Sequence, residues 1–241
     1  MSLDEHWEAQ AENWLGWART PGHDIYWGFS GPRLFEILPP PGRLTVELGC
    51  GEGRVCRDLQ RLGHRTLGVE LSATLFRAAR EADPAGEYLH ADAAALPLEN
   101  GVANLVVAFN SLIDMEDMTG AIREAARILE PGGRFCICVP HPFLNGGEWV
   151  DANDPGSVFV IRGSYFAYAQ REFHYERGGL EMTFQSFELP LSALTRPLEE
   201  AGFRLELFRE PPIDDDLVAE HAHRARWQRL PMFLYLRAVK S

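Results

Sequence analysis

Apolar and polar positions along this chain follow two periods, and the change from one to the other marks its elements. Leu44, Val46 and Leu48 lie two apart, as in a buried strand. Gly49, Gly51 and Gly53 come next at alternate positions. Val55, Leu59 and Leu62 then recur at helical spacing, and Gly63 stands where a helix would stop. Strand, glycine loop and helix in that order make a nucleotide-binding turn. A loop without Cβ atoms can press its backbone close to a ligand and take positive φ values. The helix behind it offers unpaired N–H groups to a polar or anionic group.

The pattern continues as alternating strand and helix. Gly68, Val69 and Glu70 close a second strand, about 20 residues after the glycines, where a nucleotide fold places an acid for ribose hydroxyls. Ser72 is an N-cap for a helix reaching Glu81. His90, Ala91 and Asp92 end a third short strand. An apolar run over 102–109 is the fourth, ending at Asn110. Thr119 caps a helix whose Ile122, Ala126 and Leu129 share a face, and Pro131-Gly132-Gly133 turns into a fifth strand over 134–139. This alternation requires a parallel sheet.

These residues carry a resemblance that becomes specific at the series Glu47-Leu48-Gly49-Cys50-Gly51-Glu52-Gly53, Glu70, Asp92, Asn110 and Leu129-Glu130-Pro131-Gly132-Gly133. The chain resembles the class I S-adenosylmethionine (SAM) dependent methyltransferases, in particular the group similar to the ubiquinone and menaquinone biosynthesis enzymes. The spacing G-x-G-x-G, rather than G-x-G-x-x-G, favours SAM over NAD. The likeness is strong over 44–143 and general elsewhere. It implies a Rossmann-like, doubly wound, seven-stranded α/β sheet, with the first strand in its middle. It also implies that SAM is the cofactor and S-adenosylhomocysteine the product. By resemblance Glu47 faces the methionine ammonium, Asp92 and Ala93 lie beside the adenine amino group, and Asn110 helps to hold the methionine end. Cys50 and Leu71 complete the cofactor-binding set with Gly49, Gly51, Gly53 and Glu70. The fourth strand ends in Ala108-Phe109-Asn110-Ser111 and lacks the Asn/Asp-Pro-Pro-aromatic tetrad of amino methyltransferases that act on adenine.

The remaining segments divide around that core. The reading is a single domain over 1–241, with an N-terminal helical cap (1–40), a SAM-binding core (41–140), a loop and hairpin insertion (141–190), and a C-terminal helix with two last strands (191–241). In the cap, Trp7, Trp14 and Trp17 fall on one helical face, either packing the domain or covering the cofactor. Pro32 opens a second helix over 33–38. Residues 144–156 read as loop. Alternating segments over 158–168, 171–175 and 180–187 around the turn Arg177-Gly178-Gly179 predict an antiparallel hairpin at the sheet's edge. A helix from Ser192, a sixth strand over 203–208 and a doubly apolar seventh over 232–239 complete the chain. Residues 211–229 between the last two strands are polar.

Composition narrows the function. The chain has 241 residues, a 46% hydrophobic fraction and a formal net charge of −12. No basic run exists to neutralise phosphates, so nucleic acid is not the expected partner. No apolar stretch spans a membrane and no leader is visible, so a soluble cytoplasmic protein is expected, monomeric or homodimeric. The four cysteines lack disulfide spacing, and Cys136 and Cys138 share a strand face in the core. No metal is expected, His221 and His223 with Asp214, Asp215 and Asp216 being the nearest approach to a ligand set.

The expected function is methyl transfer to a small molecule by in-line displacement at the sulfonium. Alternatives are a non-catalytic SAM-binding protein, whether a sensor or an inactive partner, and an NAD-linked oxidoreductase. Methyl transfer from a sulfonium needs proximity and a dry pocket, with a base where the nucleophile is oxygen. His141, after the fifth strand, is the candidate base, or else a histidine held in a turn before Pro142. Tyr26, Trp27, Tyr165 and Tyr168 are the candidate acceptor-pocket residues. Asp114, Glu116 and Asp117 either orient a polar acceptor or are solvated loop acids.

Overall fold

The structure is a computed structural model that describes residues 1–151 and 153–241. Ala152, inside the predicted loop 144–156, lies outside the described residues. The strands of the main sheet are β1 (Thr45–Leu48), β2 (Thr66–Glu70), β3 (Glu87–His90), β4 (Ala103–Phe109), β5 (Leu129–Pro140), and two later ones. Between β5 and those two come the short β6 (Gly147–Trp149) and β7 (Phe159–Ile161), then β8 (Ala169–Arg177) and β9 (Leu180–Glu188). The late strands are β10 (Phe203–Arg209) and β11 (Phe233–Lys240). The helices are α1 (Leu3–Arg19), α2 (Gly31–Phe35), α3 (Arg54–Arg61), α4 (Ala73–Ala82), α5 (Met118–Ile128), α6 (Leu191–Glu200) and α7 (Asp215–Glu220).

The sheet runs β10-β11-β5-β4-β1-β2-β3, with β1 to β5 parallel and β11 antiparallel to both its neighbours. β4 takes the central place, and β1 sits one place off it, between β4 and β2. The strand order reverses between β1 and β4, so the loops leaving their carboxyl ends diverge and open a crevice. Period-two alternation supplies both faces. Val106 and Ala108 pack with Val46, Leu48, Ile122 and Leu194 on one side. Leu105, Val107 and Phe109 pack with Val55, Leu59, Leu34 and Tyr26 on the other. Cys136 and Cys138 belong to that second core, fully buried.

Several local predictions shift for identifiable reasons. Asp117, not Thr119, caps α5: its carboxylate accepts the Gly120 N–H at 2.8 Å. The predicted turn 131–133 lies within β5, because Leu129 already pairs with Ala103 and Gly132 absorbs the register shift at φ 76°. The helix predicted over 33–38 is α2, which begins at Gly31, with Pro32 in its first turn, and closes at Phe35. Ser72 does cap α4, accepting the Leu75 N–H at 3.1 Å.

The inserted hairpin stands apart from the main sheet. β8 and β9 pair only with each other, Arg177 opposite Leu180, and Gly178 and Gly179 turn at φ 59° and 78°. A two-residue turn with both φ values positive matches the twist of the strands it joins. The hairpin is held by α1 instead of a sheet edge. Phe184 meets Trp7, Trp14 and Trp17 edge-on, with ring centroids 6.3, 6.0 and 6.2 Å apart. Such edge-to-face pairs add about 0.5–1.5 kcal/mol each beyond burial. A second ribbon, β6 with β7, occupies part of the predicted loop.

Helix α1 lies across the loops that follow β1, β2 and β4. The Ser2 side chain and Glu5 form a capping box at its start. The Leu3 N–H donates to Glu116 at 3.0 Å, and Ser72 and Thr74 hydroxyls donate to Glu8. Arg19 donates to Glu52 at 3.1 Å. Removing the ring that joins α1 to the hairpin should separate the two. Phe184→Ala is expected to destabilise the protein by about 2–3 kcal/mol, less than a fully buried phenylalanine. Urea unfolding measures it, and hydrogen exchange should speed up in α1 and β8–β9 while β1 and β4 stay protected. A loss below about 0.5 kcal/mol, the ordinary range for surface changes, would show that the aromatic cluster does not hold these parts together.

Candidate active site

The crevice begins at the glycine turn. Gly49, Gly51 and Gly53 all take left-handed backbone, at φ 68°, 57° and 81°. A Cβ on Gly49 would sit 2.7 Å from the Ser111 Cβ, and one on Gly53 would sit 2.7 Å from the Tyr88 hydroxyl. Side chains there are excluded by both conformation and contact. Gly49 and Gly51 line the crevice, whereas Gly53 is the N-cap of α3, against Tyr88, and lies off it.

Glu70, at the end of β2, ties this turn in place. One carboxylate oxygen accepts the Gly51 N–H at 2.7 Å and the other accepts the Ser72 N–H at 2.9 Å. Burial raises its pKa, and those N–H donors together with that of Leu71 oppose the rise. Each oxygen retains acceptor capacity toward the crevice. Glu47 is 2% exposed at the end of β1 and accepts the Cys56 thiol at 2.9 Å. Burial holds its carboxyl well above the usual carboxylate range, Cys56 and Glu70 add to the rise, and Arg54 opposes it. Cys50, Leu71, Asp92 and Ala93 also line the crevice. Asp92 uses one oxygen to accept the Ala94 N–H at 2.8 Å.

Asn110 follows β4 at φ 51° and is the one non-glycine residue with positive φ among the described residues. Asparagine tolerates that region better than most side chains, at some cost in energy. Its N–H donates to the Cys138 carbonyl at 2.8 Å, and the residue lines the crevice.

Two further groups bear on proton transfer. His141 is buried and lines the crevice, but both its ring nitrogens are engaged. Nδ1 accepts the Phe143 N–H at 3.0 Å, and Nε2 lies 2.7 Å from Glu210 Oε1. With Nδ1 accepting, Nε2 carries the proton and donates it to Glu210. Burial lowers the pKa of His141, with Glu210 opposing. This histidine has no free lone pair for an acceptor proton. Asp114 is the opposite case. It sits in a 3₁₀ turn, Leu112–Asp114, just after β4, and lines the crevice. Burial alone raises its carboxyl well above the usual range, with no hydrogen bond or cation to offset it. The three acids after β4 therefore separate: Asp117 caps α5, Glu116 holds Leu3, and Asp114 is unpartnered among the described residues.

The aromatic expectations divide too. Tyr26 is buried, lines the crevice and donates to Asp58 at 2.8 Å. Trp27 is 53% exposed and packs on the outer side of Tyr26. Tyr165 and Tyr168 precede β8, because the hairpin starts at Ala169, later than the alternation suggests. The Tyr165 hydroxyl accepts the Leu191 N–H at 3.0 Å, and Tyr168 is 55% exposed against Phe187. Phe173, Tyr175 and Phe184 of the hairpin, with Trp149, Phe159 and Trp227, form the aromatic walls instead. The whole is one continuous cavity of about 1040 Å³, from the glycine turn to these walls.

Residues 46–137 match the sequence profile of a family described as a methyltransferase domain. The solved structure of an S-adenosylmethionine dependent methyltransferase from Mesorhizobium loti superposes on 90% of this chain and 98% of its own, with a TM-score of 0.74 and 25% identity. Residues 46–137 thus form a methyltransferase domain, in a chain that shares the fold of SAM-dependent methyltransferases. Among curated relatives, the malonyl-[acyl-carrier protein] O-methyltransferase of Pectobacterium atrosepticum is 31% identical over 43% of this chain and 42% of its own length. The demethylmenaquinone methyltransferase of Clavibacter sepedonicus is 26% identical over 61% of this chain and 63% of its own. The chain thus spans roughly half the length of the curated relatives it matches. S-adenosyl-L-methionine is the family's cofactor, and the cradle without Cβ atoms and the buried acids at the ends of β1 and β2 fit it. No helix among the described residues is long and apolar enough to cross a membrane.

Acids with raised pKa values in this cavity make stability depend on pH. Glu47, Glu70 and Asp114 have pKa values raised on folding. The unfolded chain releases these protons first. Stability is therefore full below the ordinary carboxylate pKa and falls as pH rises through the raised values. Asp114→Asn keeps the shape and removes the titration. Urea unfolding across pH should show the variant close to the native protein in acid and more stable toward neutral and alkaline pH. Above the ordinary carboxylate pKa the gap should widen by about 1.4 kcal/mol for each step of one in pH, until the raised value is reached. Parallel curves for the two proteins would mean that Asp114 titrates as in the unfolded chain.

Proposed function

We propose that this protein transfers a methyl group from SAM to a small-molecule acceptor. The observation that carries the reading is the single cavity, which joins the glycine turn and its acids to an aromatic compartment large enough for a second ligand. A sensor or inactive partner would need the first part only. The names of the curated relatives, which act on a quinone precursor and on a carrier-bound malonyl group, support a small acceptor, as does the net charge of −12 against nucleic acid. Residues 1–40 serve as a cap, 41–140 as the cofactor core, and 141–190 with 191–241 supply the acceptor walls.

In this reading Glu70 accepts the two ribose hydroxyls, and Asp92 and Ala93 flank the adenine. Glu47 and Asn110 hold the amino-acid end, with Gly49, Cys50, Gly51 and Leu71 supplying backbone. Gly53 shapes the turn and does not touch the ligand. When bound, SAM supplies a methyl group already activated on a sulfonium. The protein's part is to orient the acceptor, exclude water with Trp149, Phe173 and Phe184, and receive a proton where the nucleophile carries one. Asp114 is placed for that last role. A carboxyl with a raised pKa is a better proton acceptor near neutral pH than an ordinary one. His141, with both nitrogens committed, orients the β5 loop through Phe143 and Glu210.

Calorimetry with SAM tests the cofactor assignment. Glu70→Ala removes two charge-assisted hydrogen bonds to ribose, each worth roughly 1.5–3 kcal/mol, so the Kd should rise at least about tenfold. An unchanged Kd in a folded variant refutes the role. On an identified acceptor, Asp114→Asn should lower kcat by about 10²–10⁴ and flatten the acid limb of the pH profile, while His141→Gln keeps both. The reverse pattern would return the base to His141.

A further inference from the structure

Residues 221–229 read His-Ala-His-Arg-Ala-Arg-Trp-Gln-Arg, with three arginines and no acid in a chain of net charge −12. The three arginines differ in what they touch. Arg224 donates to Glu220 at 3.0 Å, and Arg229 donates to the carbonyl oxygens of Pro155 and Ser157. Arg226 does neither. Its Nε and Nη1 are buried without an acceptor among the described residues. The guanidinium lies over the rings of Trp149 and Trp227, 5.8 and 5.2 Å from their centroids. The indole Nε1–H of Trp149 is also buried and unpaired among the described residues. Arg226, Trp149 and Trp227 all line the cavity.

Three orphaned donors at one place in a cavity are expensive. A half-buried guanidinium with two of its nitrogens unpaired loses much of its hydration, and the faces of two indoles return only part of that. No neighbouring acid among the described residues is free to pair with it. Glu148, next to Trp149, is taken by Arg162, and the charged or titratable groups that act on His223 beside it are Arg226 itself, His221, Arg224 and Arg177, all basic. Donors without acceptors cannot be satisfied by an ammonium or an apolar group. A carboxylate or phosphate ester satisfies them, and the planar guanidinium fork matches either in a bidentate pair.

We propose that the methyl acceptor carries an oxyanion, a carboxylate or a phosphate ester, and that Arg226 and the Trp149 N–H bind it beside the two indoles, which pack edge to face with centroids 5.5 Å apart. This rests on the proposed function, since it names the acceptor's chemistry. Arg226 then determines specificity and takes no part in the methyl transfer itself.

The test uses the whole protein saturated with S-adenosylhomocysteine and three probes that share a phenyl ring: phenylacetate, phenyl phosphate and, as the neutral isostere of the first, phenylacetamide. Calorimetry and tryptophan fluorescence follow binding, the latter because two indoles flank the site. At least one acid should bind ten or more times tighter than the amide, and the stronger of the two identifies the anion. Arg226→Gln should weaken that acid at least tenfold and leave the amide and S-adenosylhomocysteine unchanged, which also shows that the variant is folded. Trp149→Phe keeps an aromatic ring and should give a smaller loss in the same direction. Acids bound no tighter than the amide, or equally well by Arg226→Gln, overturn the proposal. Failure of S-adenosylhomocysteine itself to bind would instead overturn the proposed function, and the acid preference would still be read on the free protein.

Discussion

The backbone between β1 and α3 turns left-handed at three places in five residues, and the rest of the site is arranged to permit it. That turn brings Gly49 against Ser111 and Gly53 against Tyr88, so the ends of β1, β3 and β4 meet at separations only glycine allows. Glu70 then closes the ring from β2 by accepting the Gly51 N–H. The carboxylate therefore has a structural duty before any ligand arrives. It fixes amide groups that would otherwise lack a partner, and its burial is tolerated because those amides are there.

Much of this is legible in the residue order. Glycines after an apolar strand, an acid at the next strand's end, and periodic helices between them define a doubly wound sheet with little ambiguity. The hairpin is legible as a hairpin, from Gly178-Gly179 and the alternation around it. Its docking is not, since aromatic alternation is equally suited to a sheet edge and to a helix lined with tryptophans. The start of β8 is hidden as well, because the alternating residues 158–168 read as strand, and this moves Tyr165 and Tyr168 to the wrong wall. Periodicity reports that a strand is amphipathic and leaves its partner open.

The polar part of the site shows a sharper limit. Asp114, Glu116 and Asp117 lie within four residues and look alike as a solvated acidic loop. Their roles separate only when α1 and α5 arrive: one caps a helix, one receives a helix N-terminus, and one is left unpaired in the cavity. His141 shows the converse. Its place after β5 suits a base, but its capacity is used by Phe143 and Glu210, which no local pattern reveals. Arg226 is the same problem in the basic segment, where Arg224 and Arg229 find partners and their neighbour has none among the described residues.

Helix α1 is held by two kinds of bond on its two sides. Glu116, Ser72 with Thr74, and Glu52 hold it through polar contacts, while the hairpin holds it mainly through packed rings, joined by hydrogen bonds from the His6 Nε2–H to the Thr183 carbonyl and from the Thr183 N–H to Gln10. These respond to different solvent variables. Added salt screens charge and slackens the first grip, whereas cooling weakens apolar contact and slackens the second. The wall that α1 gives the cavity through Asp4, Trp7 and Trp14 thus answers to two variables, ionic strength through its charged contacts and temperature through its packed rings.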